Sequence, residues 1–253
     1  MTRIFRVATL AAVAVLGLSS CGGDDGGSGG DKTKLTVFAA SSLTNTFGEL
    51  EKAFEKDHPD VDVVISFDSS STLATQITSG SPADVLVTAD QASMQIIVDA
   101  GDNAATPQPF ASNTMAVVTP PDNPAGITSV SNIDKGDFVV CDPSAPCGEV
   151  AAQILEKAGV TAKPVSYGEK VTAVLETVEL GEADAGMVYI TDAQGAGDQV
   201  HAIDIPDNLN VVTPYYIAAV KDSANADLAT EWISLVESEA GQSVLEKAGF
   251  GAP

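Results

Sequence analysis

The sequence predicts an α/β fold built from two similar units, and three observations support this prediction. The 253 residues are 44% hydrophobic, which suffices for one large α/β domain or for two lobes of ordinary size. Short apolar runs alternate with stretches of helical periodicity. This alternation occurs in two successive blocks, 35–101 and 113–190. Strands that alternate with helices form βαβ units, in which helices cover the faces of a sheet.

The first block contains three strand–helix pairs. In its first helix, Phe47, Leu50 and Phe54 recur at the spacing of one buried helical face. Gly101 predicts the end of the third helix, because glycine adopts the left-handed C-cap conformation at little cost. The predicted strands are 35–40, 61–66 and 83–88, and the predicted helices are 43–54, 70–79 and 90–100.

The second block repeats the pattern and is followed by a closing segment. Gly159 and Gly181 predict the ends of its two helices. Binding sites in such sheets lie outside the carboxyl ends of the strands, where loops meet helix N-termini. The predicted elements are strands at 114–119, 138–141 and 185–190, helices at 148–158 and 169–180, and a last strand at 215–220 followed by helices at 226–238 and 240–248.

The charge of the chain excludes nucleic acid as a partner. The net charge is −23, whereas binding to a nucleic-acid backbone needs clustered Lys and Arg. Both arginines, Arg3 and Arg6, lie at the amino end. Residues 21–253 therefore contain no arginine that could clamp a carboxylate or a phosphate.

The amino end predicts export and a lipid anchor. A basic start precedes an apolar run at 7–18, which is too short to span a bilayer, so residues 1–20 are typical of a signal peptide. The segment that ends in Cys21 resembles a bacterial lipobox, in which this cysteine becomes lipidated; a plain secretory signal with an incidental cysteine is the alternative. Residues 21–33 have the composition of a flexible Gly/Ser tether. We therefore expect a protein anchored by lipid on the extracytoplasmic face of the cell membrane.

Cys141 and Cys147 are predicted to form a disulfide, because disulfides persist outside the cytoplasm. Two reduced thiols, one of them buried, are the alternative. A zinc site is disfavoured because the chain has only two histidines, His58 and His201, and neither is near this pair.

Three loops place hydroxyl or backbone donors at the start of a predicted helix. They are 39–42, 67–72 and 146–148. Free N–H groups and the positive end of the helix dipole make such places anion sites without any cationic side chain. Ser and Thr are also favoured N-caps, so plain helix capping is the alternative for each loop.

The sequence predicts that the protein is not an enzyme. A Ser-His-Asp arrangement would need His58, which ends a predicted helix, or His201, which is predicted to head an edge strand. A hydrolase that depends on His201 is kept as an alternative. The adjacent Tyr215 and Tyr216 resemble the phenolate pair of ferric-iron binders, although neighbours on a strand point to opposite faces.

Four segments resemble the molybdate-binding proteins of bacterial ABC importers. The resemblance implies a two-lobed periplasmic-binding fold of type II, in which each lobe is a mixed sheet flanked by helices. It also implies lobe I at 31–112 completed by 214–253, and lobe II at 113–213, with the binding cleft between them. The segments are 35–45, 67–76, 80–84 together with 89–90, and 187–193.

The resemblance also implies the binding residues. Ser42 and Ser70 would each supply a hydroxyl and a backbone N–H from lobe I. Cys147 and Val171 would supply backbone N–H groups from lobe II, and Tyr189 a hydroxyl. Molybdate or tungstate would be held by these neutral donors alone, with no direct metal coordination by side chains and no cofactor.

Two positions depart from the family pattern. The loop around Cys147 is one residue shorter, which makes Gly148 the alternative backbone donor. Asp68 stands beside the Ser70 loop, where an acid would repel a dianion, so we expect it to face away. The expected partners are a small oxyanion and an ABC permease, with the protein itself a monomer. A sulfate-binding or ferric-iron-binding subunit of an ABC importer is the alternative function.

Overall fold

The computed structural model describes residues 32–253. The predicted signal peptide (1–20), Cys21 and the predicted tether up to residue 31 lie outside the described residues. Within the described part, no helix is long and apolar enough to cross a membrane.

Strands and helices alternate through the described residues much as the sequence predicts. The strands β4 and β7 and the helix α6 are not predicted, because β4 is largely polar, β7 is only 3 residues long and α6 follows β8 without a loop. The strands are β1 (Thr33–Ala40), β2 (Val61–Asp68), β3 (Val85–Thr88), β4 (Gln108–Asn113), β5 (Met115–Thr119), β6 (Phe138–Cys141), β7 (Ser166–Gly168), β8 (Ala185–Tyr189), β9 (His201–Asp204) and β10 (Thr213–Ala219). The α-helices are α1 (Thr44–Asp57), α2 (Ser70–Thr78), α3 (Gln91–Ala100), α4 (Pro146–Lys157), α5 (Val171–Glu179), α6 (Ile190–Ala196), α7 (Ala226–Glu237) and α8 (Glu239–Lys247).

The strands form two five-stranded mixed sheets. The first has the order β2-β1-β3-β10-β4, and the second has the order β7-β6-β8-β5-β9. In the first sheet β1 is parallel to β2 and β3, whereas β10 is antiparallel to β3 and β4. In the second sheet β6 is parallel to β7 and β8, whereas β5 is antiparallel to β8 and β9. The predicted α/β class with a mixed sheet in each of two lobes is confirmed.

We use lobe I for the first sheet with α1, α2, α3, α7 and α8, and lobe II for the second sheet with α4, α5 and α6. The chain passes from lobe I to lobe II between β4 and β5 and returns between β9 and β10. Two connections therefore join the lobes. The antiparallel strands β5 and β10 lie next to these connections, which is why each sheet is mixed rather than purely parallel.

Local sequence signals explain where helices begin and end. The Asp90 carboxylate accepts a hydrogen bond of 2.9 Å from the Ser93 amide and thereby caps α3. Gly101 ends that helix at φ 73°, as predicted. Helix α4 begins at Pro146, two residues before the predicted start, because proline is well suited to the first helical position.

A cluster of aromatic side chains fixes lobe I around α7. Trp232 is buried, with its ring centroid 5.7 Å from that of Phe47 and 5.5 Å from that of Phe54, both in edge-on arrangements. Phe47 and Phe54 lie on the predicted apolar face of α1. This packing holds α1 against the sheet and so fixes the loop after β1, which carries Ser42.

Candidate ligand-binding site

One small cavity lies between the lobes and brings the five predicted binding residues together. Ser42 and Ser70 line it from lobe I, and Cys147, Val171 and Tyr189 line it from lobe II. The cavity volume is about 10 Å³, which is roughly enough for one water molecule. The cavity therefore suits a guest of a few atoms and not a sugar or a peptide.

The cavity lies where the sequence predicts a site, at the carboxyl ends of parallel strands. Ala40, Asp68 and Ala89 line it at or just after the ends of β1, β2 and β3. On the opposite side the start of α4 follows β6, and Tyr189 ends β8. Because both sheets present such ends, loops from the two lobes meet over one point.

Lobe I contributes two serine hydroxyls whose oxygen atoms each have a partner in the protein. Ser42 lies in a 3₁₀ turn after β1, and its Oγ is 2.7 Å from Oη of Tyr215. Ser70 is the first residue of α2, and its Oγ accepts a hydrogen bond of 3.0 Å from the Ala89 amide. Since an N–H can only donate, the hydroxyl proton of Ser70 is free to donate to a guest.

The start of α4 supplies a free backbone donor at Cys147. The N–H of Gly148 donates to the carbonyl of Ala145 at 2.9 Å, whereas the N–H of Cys147 has no acceptor within residues 32–253. Cys147 also lines the cavity. The geometry thus favours Cys147 over Gly148 as the donor. A Cβ on Gly148 would overlap the carbonyl of Asp142, so glycine is what lets the loop lie this close to the helix.

A disulfide fixes the position of that donor. Cys141 and Cys147 are bonded, with their Cα atoms 5.7 Å apart. Cys141 is the last residue of β6 and Cys147 is the second residue of α4. The bond therefore ties the end of a sheet strand to the helix start that faces the cavity.

The start of α5 supplies a second backbone donor. Lys170 is the N-cap and Val171 the first helical residue, with its side chain buried. Among the described residues the N–H of Val171 has no acceptor, as expected for the first turn of a helix. The positive end of the helix dipole adds a partial charge that favours an anion here.

Tyr189 places an unpaired hydroxyl at the cavity. It is 1% exposed, and its Oη has no hydrogen-bond partner within the described part of the chain. Burial, followed by the proximity of Tyr215, raises the pKa of the Tyr189 phenol well above its ordinary value. The group therefore stays protonated as a donor. A buried hydroxyl without a partner costs free energy of folding, which indicates that a bound ligand supplies the missing hydrogen bond.

One expectation about charge needs correction. The resemblance implies neutral donors only, but Lys170 is among the residues that line the cavity. Its ammonium group donates to the carbonyl of Phe67 at 3.2 Å and so connects lobe II to lobe I. The sequence contained this signal, because Lys170 directly precedes the predicted donor Val171. Its long side chain reaches across the cleft, which a local pattern does not reveal.

The expectation that Asp68 faces away also needs correction. Asp68 lines the cavity, although its carboxylate accepts a hydrogen bond of 2.8 Å from the Ser69 amide. This local bond holds the acid at the entrance to α2. The Lys170 ammonium reaches the same part of lobe I, because it donates to the carbonyl of Phe67, the residue before Asp68.

Sequence reasoning missed a buried acid next to the site. Asp192 lies on α6, three residues after Tyr189, and is 7% exposed. Burial raises the pKa of its carboxyl to about 7, and the backbone amide of Tyr189 partly opposes that shift. Its Oδ2 has no hydrogen-bond partner in the described residues. The acid thus titrates near neutral pH beside a predicted ligand donor.

The residues of the alternative functions do not converge on a site. Tyr215 is fully buried in the main core, whereas Tyr216 packs against a different core cluster, so the two phenols do not meet at one ion. His58 is the C-cap of α1, and His201 is an exposed residue at the start of β9. Neither histidine lines the cavity between the lobes.

A larger cavity, about 420 Å³, lies at the opposite end of the first sheet. Its buried acid, Asp84, already accepts hydrogen bonds from the Thr36 amide, Ser223 and Asn225. These bonds join the sheet to the loop before α7. The buried polar group of this cavity is therefore satisfied within the protein, unlike the hydroxyl of Tyr189.

Comparison with known proteins identifies relatives over the whole described chain. The profile of a family described as "Bacterial extracellular solute-binding protein" matches residues 35–251. The molybdate-binding protein ModA of Mycobacterium tuberculosis (strain ATCC 25618 / H37Rv) is 37% identical over 251 residues, covering 96% of each chain.

Two solved structures share the fold. The periplasmic molybdate-binding protein of Azotobacter vinelandii matches with a TM-score of 0.78 and 21% identity, covering 87% of this chain and 99% of that one. The sulfate-binding protein SubI of Mycobacterium tuberculosis H37Rv matches with a TM-score of 0.75 and 18% identity, covering 86% of each chain. Since these two relatives are named for different anions, the fold by itself does not select the anion.

Proposed function

The chain belongs to the bacterial extracellular solute-binding proteins, and from this membership we propose that it captures molybdate or tungstate between its lobes and delivers the anion to an ABC permease. Its relatives are binding proteins of transporters, so the protein is a transport component and not an enzyme. The choice of molybdate rests on the molybdate-binding protein ModA, a relative that is 37% identical.

The observation that carries the proposal is the buried, unpartnered hydroxyl of Tyr189 beside a set of free donors. Ser42 and Ser70 offer hydroxyls, and Cys147 and Val171 offer backbone N–H groups. A tetrahedral dianion presents only acceptors, so it would satisfy every one of these groups. Hydrogen bonds to a charged partner contribute roughly 1.5–3 kcal/mol each, and five of them suffice for tight binding.

Donor chemistry also supports discrimination among anions. Hydrogen phosphate carries a proton, which the backbone N–H groups of Cys147 and Val171 cannot accept. A hydroxyl that accepted this proton would have to give up its own role as a donor to the anion, at a cost of ~1–3 kcal/mol. Sulfate has the same charge and shape as molybdate but shorter bonds. Its rejection would therefore depend on the size of the cavity, because a smaller anion cannot reach donors on both lobes at once.

Binding would favour the closed arrangement of the lobes. The donors lie on both sides of the cleft, so an anion gains its full set of contacts only when the lobes are together. The bond between the Lys170 ammonium and the Phe67 carbonyl also spans the cleft. The positive charge of Lys170 would add attraction to the dianion. A permease could then recognise the closed form.

Isothermal titration of the purified protein with molybdate, tungstate, sulfate and phosphate tests the ligand. We expect molybdate and tungstate to bind and sulfate to bind at least about tenfold more weakly. Tyr189→Phe should raise the Kd for molybdate about tenfold, because one charge-assisted hydrogen bond is lost. Binding heat with sulfate and none with the other anions would assign the protein to sulfate import. Visible colour on adding ferric iron would assign it to the iron-binding proteins.

We also propose that Cys21 is lipidated after removal of residues 1–20 and that a monomer works from the membrane surface. Support comes from the sequence pattern alone. Cys21→Ser should release the protein from the membrane fraction of the producing cells. Retention of that variant in the membrane would contradict the anchor while leaving the ligand assignment intact.

A further inference from the structure

We propose that Tyr215, held by Asn113, is a positioning residue that fixes the hydroxyl of Ser42 as a hydrogen-bond donor toward the bound anion. The proposal rests on the proposed function, because it assigns Ser42 a role in oxyanion binding. Ser42 is a hydroxyl, which can donate or accept, so its direction must be set by its neighbours. Its partner within the protein is Oη of Tyr215, at 2.7 Å.

The direction of the hydrogen bonds follows from Asn113, the last residue of β4. The Thr114 amide donates to Oδ1 of Asn113 at 2.9 Å. Because an N–H can only donate, the oxygen of the carboxamide must face this amide. The nitrogen Nδ2 therefore faces the other way, where it lies 2.9 Å from Oγ1 of Thr191 and 3.4 Å from Oη of Tyr215.

Tyr215 passes this direction on to Ser42. Its oxygen accepts from Asn113, and its proton points to Oγ of Ser42. In the reverse direction the proton of Tyr215 would need another acceptor, and the remaining hydroxyl beside it, that of Tyr189, makes no hydrogen bond within residues 32–253. Ser42, having accepted, has its own proton free for the anion. Hydrogen bonds that run in one direction also polarise one another.

The environment of Tyr215 keeps this arrangement in place. The side chain is fully buried, and burial raises the pKa of its phenol well above the ordinary value, so the proton stays on the oxygen. Its ring packs edge-on against Phe110 at 6.3 Å, Phe250 at 5.3 Å and Tyr189 at 6.0 Å between centroids. A ring held on three sides cannot swing its hydroxyl away from Ser42.

The hydroxyl of Ser70, the other serine of lobe I, is also oriented by a hydrogen bond that its oxygen accepts. The oxygen of Ser70 accepts from a backbone amide, that of Ala89, which fixes its proton as a donor without any further residue. Ser42 has no such amide and depends on Tyr215. The same Asn113 nitrogen that directs Tyr215 also binds Thr191 on α6 of lobe II. The direction of a lobe I donor is thereby linked to the position of lobe II.

Tyr215→Phe tests the proposal, because phenylalanine keeps the ring packing and removes only the hydroxyl. Without it, Ser42 can rotate, and we expect the Kd for molybdate to rise about tenfold. Tyr216→Phe is the matched control, since Tyr216 is the next residue and packs in another cluster; its Kd should stay within about twofold of wild type. Thermal unfolding of both variants verifies that they fold.

The double variant Ser42→Ala with Tyr215→Phe separates positioning from a general structural effect. If Tyr215 acts through Ser42, the double variant should bind molybdate as Ser42→Ala does, within about twofold. A further tenfold loss in the double variant, or an unchanged Kd in Tyr215→Phe, would overturn the proposal.

A selectivity measurement adds a readout that a structural role would not move. In Tyr215→Phe the oxygen of Ser42 becomes free to accept from a protonated oxyanion. The ratio of the Kd for hydrogen phosphate to that for molybdate should therefore shrink in this variant and stay constant in Tyr216→Phe. A constant ratio in both would contradict the assigned direction. If the wild-type protein bound no molybdate, that result would contradict the proposed function, on which this inference rests. A Kd for molybdate that is normal in the wild type and unchanged in Tyr215→Phe would contradict the inference alone.

Discussion

The two lobes present different kinds of donor to the same cavity. Lobe I offers the side-chain hydroxyls of Ser42 and Ser70, whose oxygens are held by other groups of the lobe. Lobe II offers backbone N–H groups of Cys147 and Val171 at helix starts, together with the phenol of Tyr189. Substitution by alanine removes a side-chain hydroxyl, whereas a backbone N–H is kept in every substitution except one by proline. Alanine scanning would therefore report mainly on lobe I and would underestimate lobe II.

The largest effect is expected from the lobe I hydroxyls. Ser42→Ala and Ser70→Ala should each weaken molybdate binding by roughly 1–3 kcal/mol, because the anion loses a donor in a water-poor site. Isothermal titration measures this directly. Ser79→Ala, on the exposed end of the same helix region as Ser70, is the control and should leave the affinity unchanged. Unchanged affinity in both site variants would remove these loops from the site.

Proline at Val171 sharpens the comparison by removing a lobe II backbone donor. Val171 is the first residue of α5, where proline is well tolerated, and Lys170 before it is already extended (φ −150°, ψ 165°), as a residue preceding proline must be. Val171→Pro should weaken molybdate by about 1–2 kcal/mol. Val171→Ala keeps the N–H and should keep the affinity, losing only stability. Equal affinities for the two variants would show that this N–H does not bind the anion.

Removal of the disulfide tests a support that holds a lobe II donor. Replacing both Cys141 and Cys147 by serine opens a short loop of sequence separation 6. The loop-entropy relation gives about 2 kcal/mol of lost stability, measured by chemical denaturation without ligand. Affinity should fall by a smaller factor, about threefold, because the N–H of residue 147 remains but is less firmly placed. A larger loss of affinity than of stability would mean that the loop itself closes over the ligand.

The smallest expected effect on affinity is a pH dependence from Asp192, which has no counterpart near the lobe I donors. Its carboxyl is raised from 3.8 to a pKa of about 7 by burial. Its contribution to stability is fully present below the ordinary pKa of 3.8 and is lost progressively as the pH rises from there to about 7, because the unfolded chain ionises this acid more readily than the folded protein does. Molybdate affinity should also fall, about threefold between pH 6 and pH 8, since the ionised acid repels a dianion.

Asp192→Asn removes the titrating group and should flatten both dependences. Titrations at pH 6, 7 and 8 in buffers of different ionisation enthalpy would also detect proton uptake by the wild-type protein on binding. A slope that persists in Asp192→Asn would assign the pH dependence to another group.

The fold was readable from the sequence where pattern and local chemistry agree. The helical spacing of Phe47 and Phe54 predicted α1, and Gly101 predicted the end of α3, as the structure confirms. Polar or very short segments such as β4 and β7 carry no such period. They become strands because neighbouring strands supply hydrogen-bond partners, which is information from distant parts of the chain.

The site could be predicted as a set of positions but not as an environment. The five predicted residues line one cavity, and their binding role stays a prediction. The sequence did not indicate that Lys170 crosses the cleft, that Asp68 lines the cavity, or that Asp192 is buried deeply enough to titrate near pH 7. Each of these depends on which groups the fold brings nearby, not on the residues beside them in the chain.

The sequence by itself determined the alternation of strands and helices, the helix starts that leave N–H groups free, and the absence of arginine from residues 21–253. These are local properties, because periodicity, capping and charge are carried by residues a few positions apart. Only the tertiary structure decided the direction of the donors. Whether the Ser42 hydroxyl donates a hydrogen bond to the anion depends on Tyr215, whose Oη is 2.7 Å from Oγ of Ser42 although the two residues are 173 positions apart in the sequence.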